Sequence, residues 1–335
     1  MTWLAWRQFR TQAAVALIAV VVVAIGYGIT GIALHHLARA SGYPTCVTAN
    51  GCRNFISAVR ASSLYQFLNS GGMVLVYLTP ALIGIFWGAP LAARDLDSGS
   101  YRMLWTQSIS RTRWLNVKLL LVVAAAMITT GLLSLIVTWW CAPIDTVGGI
   151  GMAAYRFSPL QFGSRGVVPI AYAAFAVTLG VAIGLLVRRT LPTMAITFAV
   201  FLAVQIIMPI WIRPHLQPPV TTTKAITSPR FNIEVTGSDR MKAWALNAPV
   251  GSWTISDEDL GPTGQVLNLR APDACLQAST DDACTAYVLA QHLTEELTYQ
   301  PEDRYWPFQA YESGIFLALS LALTGFSTWR VKRIA

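Results

Sequence analysis

Histidine, cysteine and acidic residues are the side chains of this sequence that could do chemistry, and their spacing decides which chemistry. The four histidines are His35, His36, His215 and His292, and none belongs to a His-Glu-x-x-His zinc motif. The sequence also lacks a Gly-x-Ser-x-Gly elbow and a phosphate-binding glycine loop. His292 could face nearby glutamates on a helix, but a solvated helix surface is the simpler interpretation. We therefore expect no catalytic residue, no cofactor site and no metal site.

Six uncharged apolar segments dominate the chain and would position any functional residues. At 1.5 Å rise per residue, each can cross a hydrocarbon core of about 30 Å as an α-helix. Hydrophobic residues make up 54% of the chain and charged residues only 12%, about half the usual share of a soluble domain. The sequence thus predicts an all-α polytopic membrane protein with six transmembrane helices, at residues 13–34, 71–93, 119–141, 167–187, 191–212 and 313–329.

The charges between these segments favour one orientation. With a cytoplasmic N-terminus, 12 of the 24 Lys and Arg residues fall inside, but only two of the 16 acidic residues do. Basic residues are then about three times denser on the cytoplasmic side, as the positive-inside tendency requires. We therefore predict that both termini are cytoplasmic, and we attribute the net charge of +8 to membrane orientation and not to nucleic-acid binding.

Four cysteines fall in the predicted outside segments, in two closely spaced pairs: Cys46 with Cys52, and Cys275 with Cys284. Disulfides persist outside the cytoplasm, so all four are disulfide candidates. Four cysteines allow three connectivities. Metal binding is a weaker alternative because no histidine lies near them, and the fifth cysteine, Cys141, is left over.

Residues 1–12 are predicted to form a short interfacial amphipathic helix before the first span. Trp3, Trp6 and Phe9 would lie at the headgroup level, with Arg7 and Arg10 toward anionic lipid. A secretory signal peptide is the competing interpretation. The apolar run of about 22 residues exceeds the 7–15 of a signal core, which favours a retained anchor.

Residues 213–312 differ from the rest of the chain, since they carry most of its acidic residues. The alternation over 231–235 predicts a strand, and residues 282–298 look helical. We predict a small mixed α/β extracytoplasmic domain over 213–312, between the fifth and sixth spans. Residues 13–212 would form the transmembrane domain, and residues 313–335 the sixth span and a cytoplasmic tail.

Residues 94–118 form the only sizeable cytoplasmic loop. A break at 98–100 separates two short helical pieces, and the second exposes Tyr101, Leu104 and Trp105 on one face. Aromatic anchors ringed by Arg and Asp are typical of a protein-binding patch. A helix lying on lipid explains the pattern equally well.

Two features of the spans constrain their packing and their energy source. The pairs Gly84 with Gly88 and Gly180 with Gly184 permit close helix approach, and packing within one chain is favoured over a dimer seam. Because none of the six segments contains Asp, Glu, Lys or His, the energy for any transport is expected to come from another subunit.

Two stretches of the chain also carry a resemblance to a known family. Residues 88–100, 105–108, 111–114 and 118, together with 299–301, 304–309 and 312–315, resemble the actinobacterial permeases of six-span ABC exporters. The resemblance extends over the whole chain in span number and loop order. It implies a permease subunit of the bacterial plasma membrane that moves an amphiphilic or drug-like substrate out of the cell, using ATP hydrolysed by a separate cytoplasmic ATPase.

The resemblance further implies partners and site residues. Such permeases pair as dimers, so we expect a second permease copy or a paralogue, an ABC ATPase that carries ATP and Mg²⁺, and membrane lipid. The segment after the second span would be the coupling helix, and residues 3–9 the interfacial connecting helix. The ATPase contacts implied in this way are Arg94, Asp95, Asp97, Tyr101, Arg102, Trp105 and Gln107.

Two other functions remain open from the sequence. An ion-coupled carrier is disfavoured by the absence of acidic residues in the spans. A membrane sensor, scaffold or intramembrane enzyme would instead act through its extracytoplasmic domain.

Overall fold

The computed structural model describes residues 2–41, 53–97, 110–146, 156–227, 232–236, 240–246, 248–249, 251–267, 269–272 and 282–333. The chain divides into two compact units. The helical unit comprises Met1–Leu216 and Trp306–Ala335, and the smaller unit comprises Gln217–Tyr305.

Within the described residues, the helical unit contains six helices that are long and apolar enough to cross a membrane. Each coincides with one predicted span. They are α1 (Thr2–Ala40), α3 (Ser63–Ile83) continued by α4 (Ala89–Asp97), α5 (Arg111–Thr146), α7 (Val168–Val187), α8 (Thr190–Ile207) and α10 (Tyr305–Lys332). Two shorter helices, α2 (Arg53–Ala61) and α6 (Pro159–Ser164), precede α3 and α7.

The ends of the first and last spans differ from the prediction. Helix α1 is continuous from Thr2, so residues 2–12 are not set apart by a break. Phe9 is buried against Trp87, with ring centroids 4.9 Å apart, and faces the interior of the helical unit. Helix α10 begins at Tyr305 and includes Glu312, because the charge of Glu312 is paired with Arg213 inside the unit. The smaller unit is correspondingly shorter than the predicted 213–312.

A π-helical turn, Gly84–Gly88, joins α3 to α4. Pro90 has no N–H, so it cannot donate to the carbonyl of Phe86 as an α-helix would require. The chain widens by one residue, and the Ala89 N–H donates to the Gly84 carbonyl. Gln12 of α1 donates to the Phe86 carbonyl instead, over 3.3 Å. This hydrogen bond, which the π turn makes possible, connects the first two spans.

A second π turn, Met208–Ile212, follows α8 in the same relation to a proline. Pro214 leaves the Ile210 carbonyl without its helical donor, and the Arg213 N–H donates to the Met208 carbonyl. The widened turn continues into a short 3-10 helix, Arg213–His215. It sets the direction in which Arg213 leaves the backbone.

Helix α7 forms the centre of the helical unit, with 78% of its most apolar stretch buried. Gly180 packs on the backbone of Gly84, Gly88 and Ala89, and Gly184 packs on Ala89 and Ala93 of α4. A Cβ atom on Gly180 would lie 2.6 Å from the backbone nitrogen of Ala89 and 2.8 Å from the Gly84 carbonyl oxygen. The two backbones are thus in direct contact, which confirms packing within one chain for these pairs.

The smaller unit contains two three-stranded antiparallel sheets among its described residues. One has the order β1-β6-β4, formed by Val220–Ala225, Thr294–Gln300 and Trp253–Leu260. The other has the order β2-β3-β5, formed by Asn232–Thr236, Arg240–Trp244 and Leu269–Arg270. Helix α9 (Asp282–Ala290) precedes β6.

Two sequence predictions fall within this unit. The strand predicted over 231–235 is confirmed as β2. The helix predicted over 282–298 is wrong in its second half, because His292 adopts a left-handed conformation (φ 49°) that ends the helix. Glu295 and Leu297 are then buried in alternation with more exposed neighbours, which is the period of a strand.

Two carboxylates of the smaller unit are buried between the sheets. Asp259 of β4 and Glu295 of β6 lie opposite each other in the ladder and are 5% and 0% exposed. Asp259 accepts from the Ala243 N–H at 3.2 Å, and Glu295 accepts from the N–H groups of Ala245 and Leu246 at 2.6 Å. Burial raises the pKa of both carboxyl groups above the usual 3.8 and 4.5, although these donors act to lower it.

The predicted disulfides fall largely outside the described residues. Cys46, Cys52 and Cys275 lie there, so both pairings stay predictions. Cys284 is buried in α9, and Cys141 is a buried free cysteine of α5.

The glycine contact yields a first prediction. Gly180→Ala would force a Cβ atom against the backbone of α4, and overpacking of this kind costs about 1–3 kcal/mol. We expect the variant to have a lower thermal unfolding midpoint than the unchanged protein, measured in detergent by tryptophan fluorescence. Gly325→Ala in α10 is the matched control, since its Cβ meets nothing within 4 Å and alanine favours a helix by about 1 kcal/mol. Equal unfolding midpoints for the two variants would contradict the contact.

The buried carboxylates yield a second prediction. Their raised pKa values mean that the folded unit holds protons more tightly than the unfolded chain, so its stability falls as the pH rises above the usual carboxyl range. In the full-length protein, hydrogen-exchange protection of residues 240–246 and 294–300, corrected for intrinsic exchange, should be higher at about pH 5 than at about pH 7. Glu295→Gln should weaken this pH dependence, whereas Glu296→Gln on the other face of β6 should not. Greater protection at the higher pH would disprove the assignment.

Candidate functional site

The expected ATPase contacts lie partly before and partly within residues 98–109, which the structure does not describe. Tyr101, Arg102, Trp105 and Gln107 lie outside the described residues, so their contacts stay predictions. The other three, Arg94, Asp95 and Asp97, lie in the last turns of α4. The chain resumes at residue 110, immediately before α5.

Asp95 forms an ion pair that joins the two ends of this segment. Its carboxylate lies 2.7 Å from the Lys118 ammonium in α5, and the two side chains are only 15% and 9% exposed. Lys118 also lies over the ring of Trp114, 4.9 Å from its centroid. Since water is largely excluded, the pair is stronger than a surface ion pair. Asp95 is therefore paired within the chain, and this pair holds the end of α4 to α5.

Asp97 makes a second connection, to the turn between α7 and α8. Its carboxylate accepts from the backbone N–H of Thr190 at 3.3 Å and from the Thr190 hydroxyl at 3.2 Å. Thr190 is the first residue of α8, and a carboxylate at a helix N-terminus is favoured by the helix dipole. Asp97 thus caps α8 from a distant part of the chain.

The turn that Asp97 contacts is as tight as the sequence predicted. Only Arg188 and Arg189 separate α7 from α8. Arg188 adopts a left-handed conformation (φ 58°), and its N–H donates to the Gly184 carbonyl, which ends α7. Arg94, in the last turn of α4, is exposed and remains accessible to a partner.

These contacts hold the end of α4 to neighbouring helices. Helix α4 continues α3 through the π turn and packs against α7. The Asp95–Lys118 pair holds it to α5, and Asp97 holds it to α8. The end of α4 is therefore joined to α5 by a mostly buried ion pair and to α8 by an exposed hydrogen-bonded cap.

The predicted interfacial helix is only partly described. Trp3 and Trp6 belong to α1, but their side chains lie outside the described set. Arg7 is exposed, whereas Phe9 packs inside the helical unit. The headgroup role of Trp3 and Trp6 stays a prediction.

A buried ion pair that the sequence analysis missed lies in the helical unit. Arg213 and Glu312 are 1% and 0% exposed, and their atoms pair twice: Nε with Oε2 at 2.9 Å, and Nη2 with Oε1 at 3.1 Å. The Tyr172 hydroxyl of α7 also donates to Glu312. Both charged residues fall inside candidate spans, so the expectation of a bundle without ionisable groups is wrong.

Aromatic residues complete the surroundings of Arg213. Its guanidinium donates to the Phe157 carbonyl at 3.3 Å and lies over the ring of Phe162, 3.9 Å from the centroid. A fully buried pair with satisfied donors is neutral overall, but removing one partner from such a pair typically costs about 3–5 kcal/mol. The pair therefore locks the chain after α8 to α10.

Gln309 lies one turn before Glu312 on α10 and connects it to α7. Its Oε1 accepts from the N–H groups of Val167 and Val168, both at 3.1 Å, and its Nε2 donates to the Phe162 carbonyl at 3.1 Å. The first N–H groups of a helix lack partners inside it, so Gln309 satisfies the start of α7.

One sequence signal could have located the buried pair. Glu312 lies four residues from both Phe308 and Phe316, which places all three on one helical face. Both phenylalanines are fully buried. Glu312 lies at the edge of an apolar run, where a charge is typical of a water-facing segment, and its partner Arg213 is 99 residues away.

Comparison with known proteins identifies the family. The family model described as ABC-2 membrane transporter related matches residues 14–213, which is well over half of the chain. No curated protein and no solved structure matches it. The matched range covers all or most of five of the six candidate spans and the whole segment between α4 and α5. The chain is therefore a multi-pass membrane protein that belongs to the ABC-2 membrane transporter related family.

Proposed function

We propose that this chain is the transmembrane permease subunit of a bacterial ABC exporter. It moves an amphiphilic or drug-like substrate out of the cell, using ATP that is hydrolysed, with Mg²⁺, on a separate cytoplasmic ATPase. A second permease copy or a paralogue completes the transport path. Family membership supports the permease class. The observation that supports the mechanism is that Asp95 and Asp97 hold the end of α4 to α5 and α8.

Residues 94–107 serve as the coupling element in this proposal. Asp95 and Asp97 hold the end of α4 to α5 and α8. Holding the helices on either side of a loop limits the conformations of the loop, which lowers the entropy lost when it docks. The segment contributes Tyr101 and Trp105 as aromatic anchors and Arg102 as a charged contact, and Arg94 extends the contact from α4.

ATP-driven approach of the ATPase subunits would press on this element. Because α4 touches α7 backbone to backbone, the two helices move together. At the other end of α7, near its start, Tyr172 and the Val168 N–H contact Glu312 and Gln309 of α10. Motion at the coupling element is thereby carried to the opposite end of the bundle, where we propose that the path opens to the outside.

Capture of the ATPase tests the docking site. The tagged chain, purified in mild detergent, should retain an ABC ATPase that mass spectrometry identifies. Combining Trp105→Ala with Arg102→Glu should weaken capture about thirtyfold, as expected when about 2 kcal/mol of hot-spot energy is lost. Trp211→Ala is the matched control, since Trp211 is 73% exposed after α8 and far along the chain from the loop.

Two outcomes would overturn the proposal. One is that the intact chain captures no ABC ATPase in detergent or in nanodiscs. The other is that the double variant captures as much ATPase as the Trp211→Ala control does.

The Asp95–Lys118 pair has a test of its own, because its role is positioning and not docking. Asp95→Lys should leave Lys118 facing a like charge and reduce stimulation of the ATPase about tenfold or more, since a broken, mostly buried pair costs several kcal/mol. Combining Asp95→Lys with Lys118→Asp should restore stimulation by re-forming the pair. Failure of the exchanged pair to recover any stimulation, in a protein that still folds and captures the ATPase, would show that Asp95 contacts the partner directly.

A further inference from the structure

A groove of about 450 Å³ runs along the helical unit between α1, the α3–π turn segment and α5. Its floor contains Val20, Thr79 and Ile83, which are at most 9% exposed. Its rim contains Val15 and Phe86, which are 67% and 54% exposed. The lining is almost entirely apolar.

The groove opens onto the apolar outer surface of three candidate spans. In a membrane this surface faces hydrocarbon and not water. If the groove were empty, the atoms that line it would lose van der Waals contacts on that side. Water is a poor occupant, because it finds few hydrogen-bond partners in an apolar site. The surrounding bilayer therefore supplies the occupant.

One end of the groove is polar. Thr11 and Gln12 line it, where Gln12 donates to the Phe86 carbonyl. Arg7 lies one helical turn before Thr11, and Arg94 lies seven residues after Trp87, which correspond to about 6 and 10 Å along a helix. Both arginines are exposed at this end of their helices. An apolar channel with cations beyond one end complements an anionic amphiphile.

The volume of the groove separates two occupants. Three turns of an α-helix, taken as a cylinder about 10 Å wide and 16 Å long, fill roughly 1,300 Å³. The groove, at about 450 Å³, is smaller than that, so a helix of a second copy could lie across its mouth but would not fill it. A single hydrocarbon chain is thin enough to enter it.

We propose that this groove binds one acyl chain of an anionic phospholipid, with the lipid phosphate near Arg7 and Arg94. The lipid packs against the π turn and α1, and so supports the segment from which α4 continues. This binding goes beyond the transport role and requires no ATPase. Its failure would leave the proposed function standing.

Photo-crosslinking tests the site. The full-length protein is placed in nanodiscs that contain phosphatidylglycerol with a diazirine in its acyl chain, and the labelled residues are mapped by mass spectrometry. Labels should concentrate in residues 11–23, 75–87 and 129–133. Phosphatidylcholine with the same chain should label them several-fold less, and Arg7→Gln combined with Arg94→Gln should remove this difference.

Matched variants of α1 sharpen the result. Ala16→Phe and Ala19→Phe place a ring in the groove and should reduce its labelling several-fold. Ala14→Phe adds the same ring to an exposed position on the opposite face of α1 and should leave the labelling unchanged. Having two groove variants protects the test against one that fails to fold.

Three results would overturn the proposal. Labels spread evenly over all six spans would show only the bulk lipid shell. Unchanged labelling in both groove variants would place the lipid elsewhere. Crosslinks between the α1 helices of two copies, with no lipid label in the groove, would show that a second copy covers this face.

Discussion

The direct backbone contact of Gly180 in α7 with Gly84, Gly88 and Ala89 is the constraint on which the helical unit depends. No side chain separates the two segments, so there is no soft layer to absorb a relative displacement. The contact fixes the π turn against α7. The π turn in turn presents the Phe86 carbonyl to Gln12 and shapes the groove beside α1.

Polar contacts lie at both ends of α7 and join it to neighbouring helices. At one end, Arg188 and Thr190 form the turn that Asp97 caps, and Asp95 pairs with Lys118 next to it. At the other end, Tyr172 reaches Glu312, and Gln309 satisfies the first N–H groups of the helix. The Glu312 cluster is buried and the Asp95–Lys118 pair is mostly buried, and such groups are costly unless every partner is in place. A rigid helix between two such clusters is suited to carrying a movement from the coupling element across the bundle.

How much the sequence could predict depended on whether a residue's environment was local. Runs of about twenty apolar residues have one stable solution in a bilayer, so the six spans were predictable. The glycine pairs and the Arg188–Arg189 turn were predictable for the same local reason. Glu312 was not, because its burial depends on Arg213, a partner 99 residues away. The helical pattern expected over 282–298 failed in a similar way: residues 294–300 pair with two strands from other parts of the chain, and this pairing outweighed their local preference.

Distance measurements across the glycine contact test the central claim most directly. Nitroxide labels at Leu64, near the start of α3, and at Leu186, near the end of α7, are both on exposed side chains and are separated along the length of the bundle. In nanodiscs with the captured ATPase, we predict one narrow distance distribution that is the same with and without ATP. A second pair, which joins Arg94 to its counterpart in the other permease copy, should change on ATP addition. If the Leu64–Leu186 distance instead shifts by about a helical turn, 5.4 Å, the two helices slide past each other and the account is contradicted.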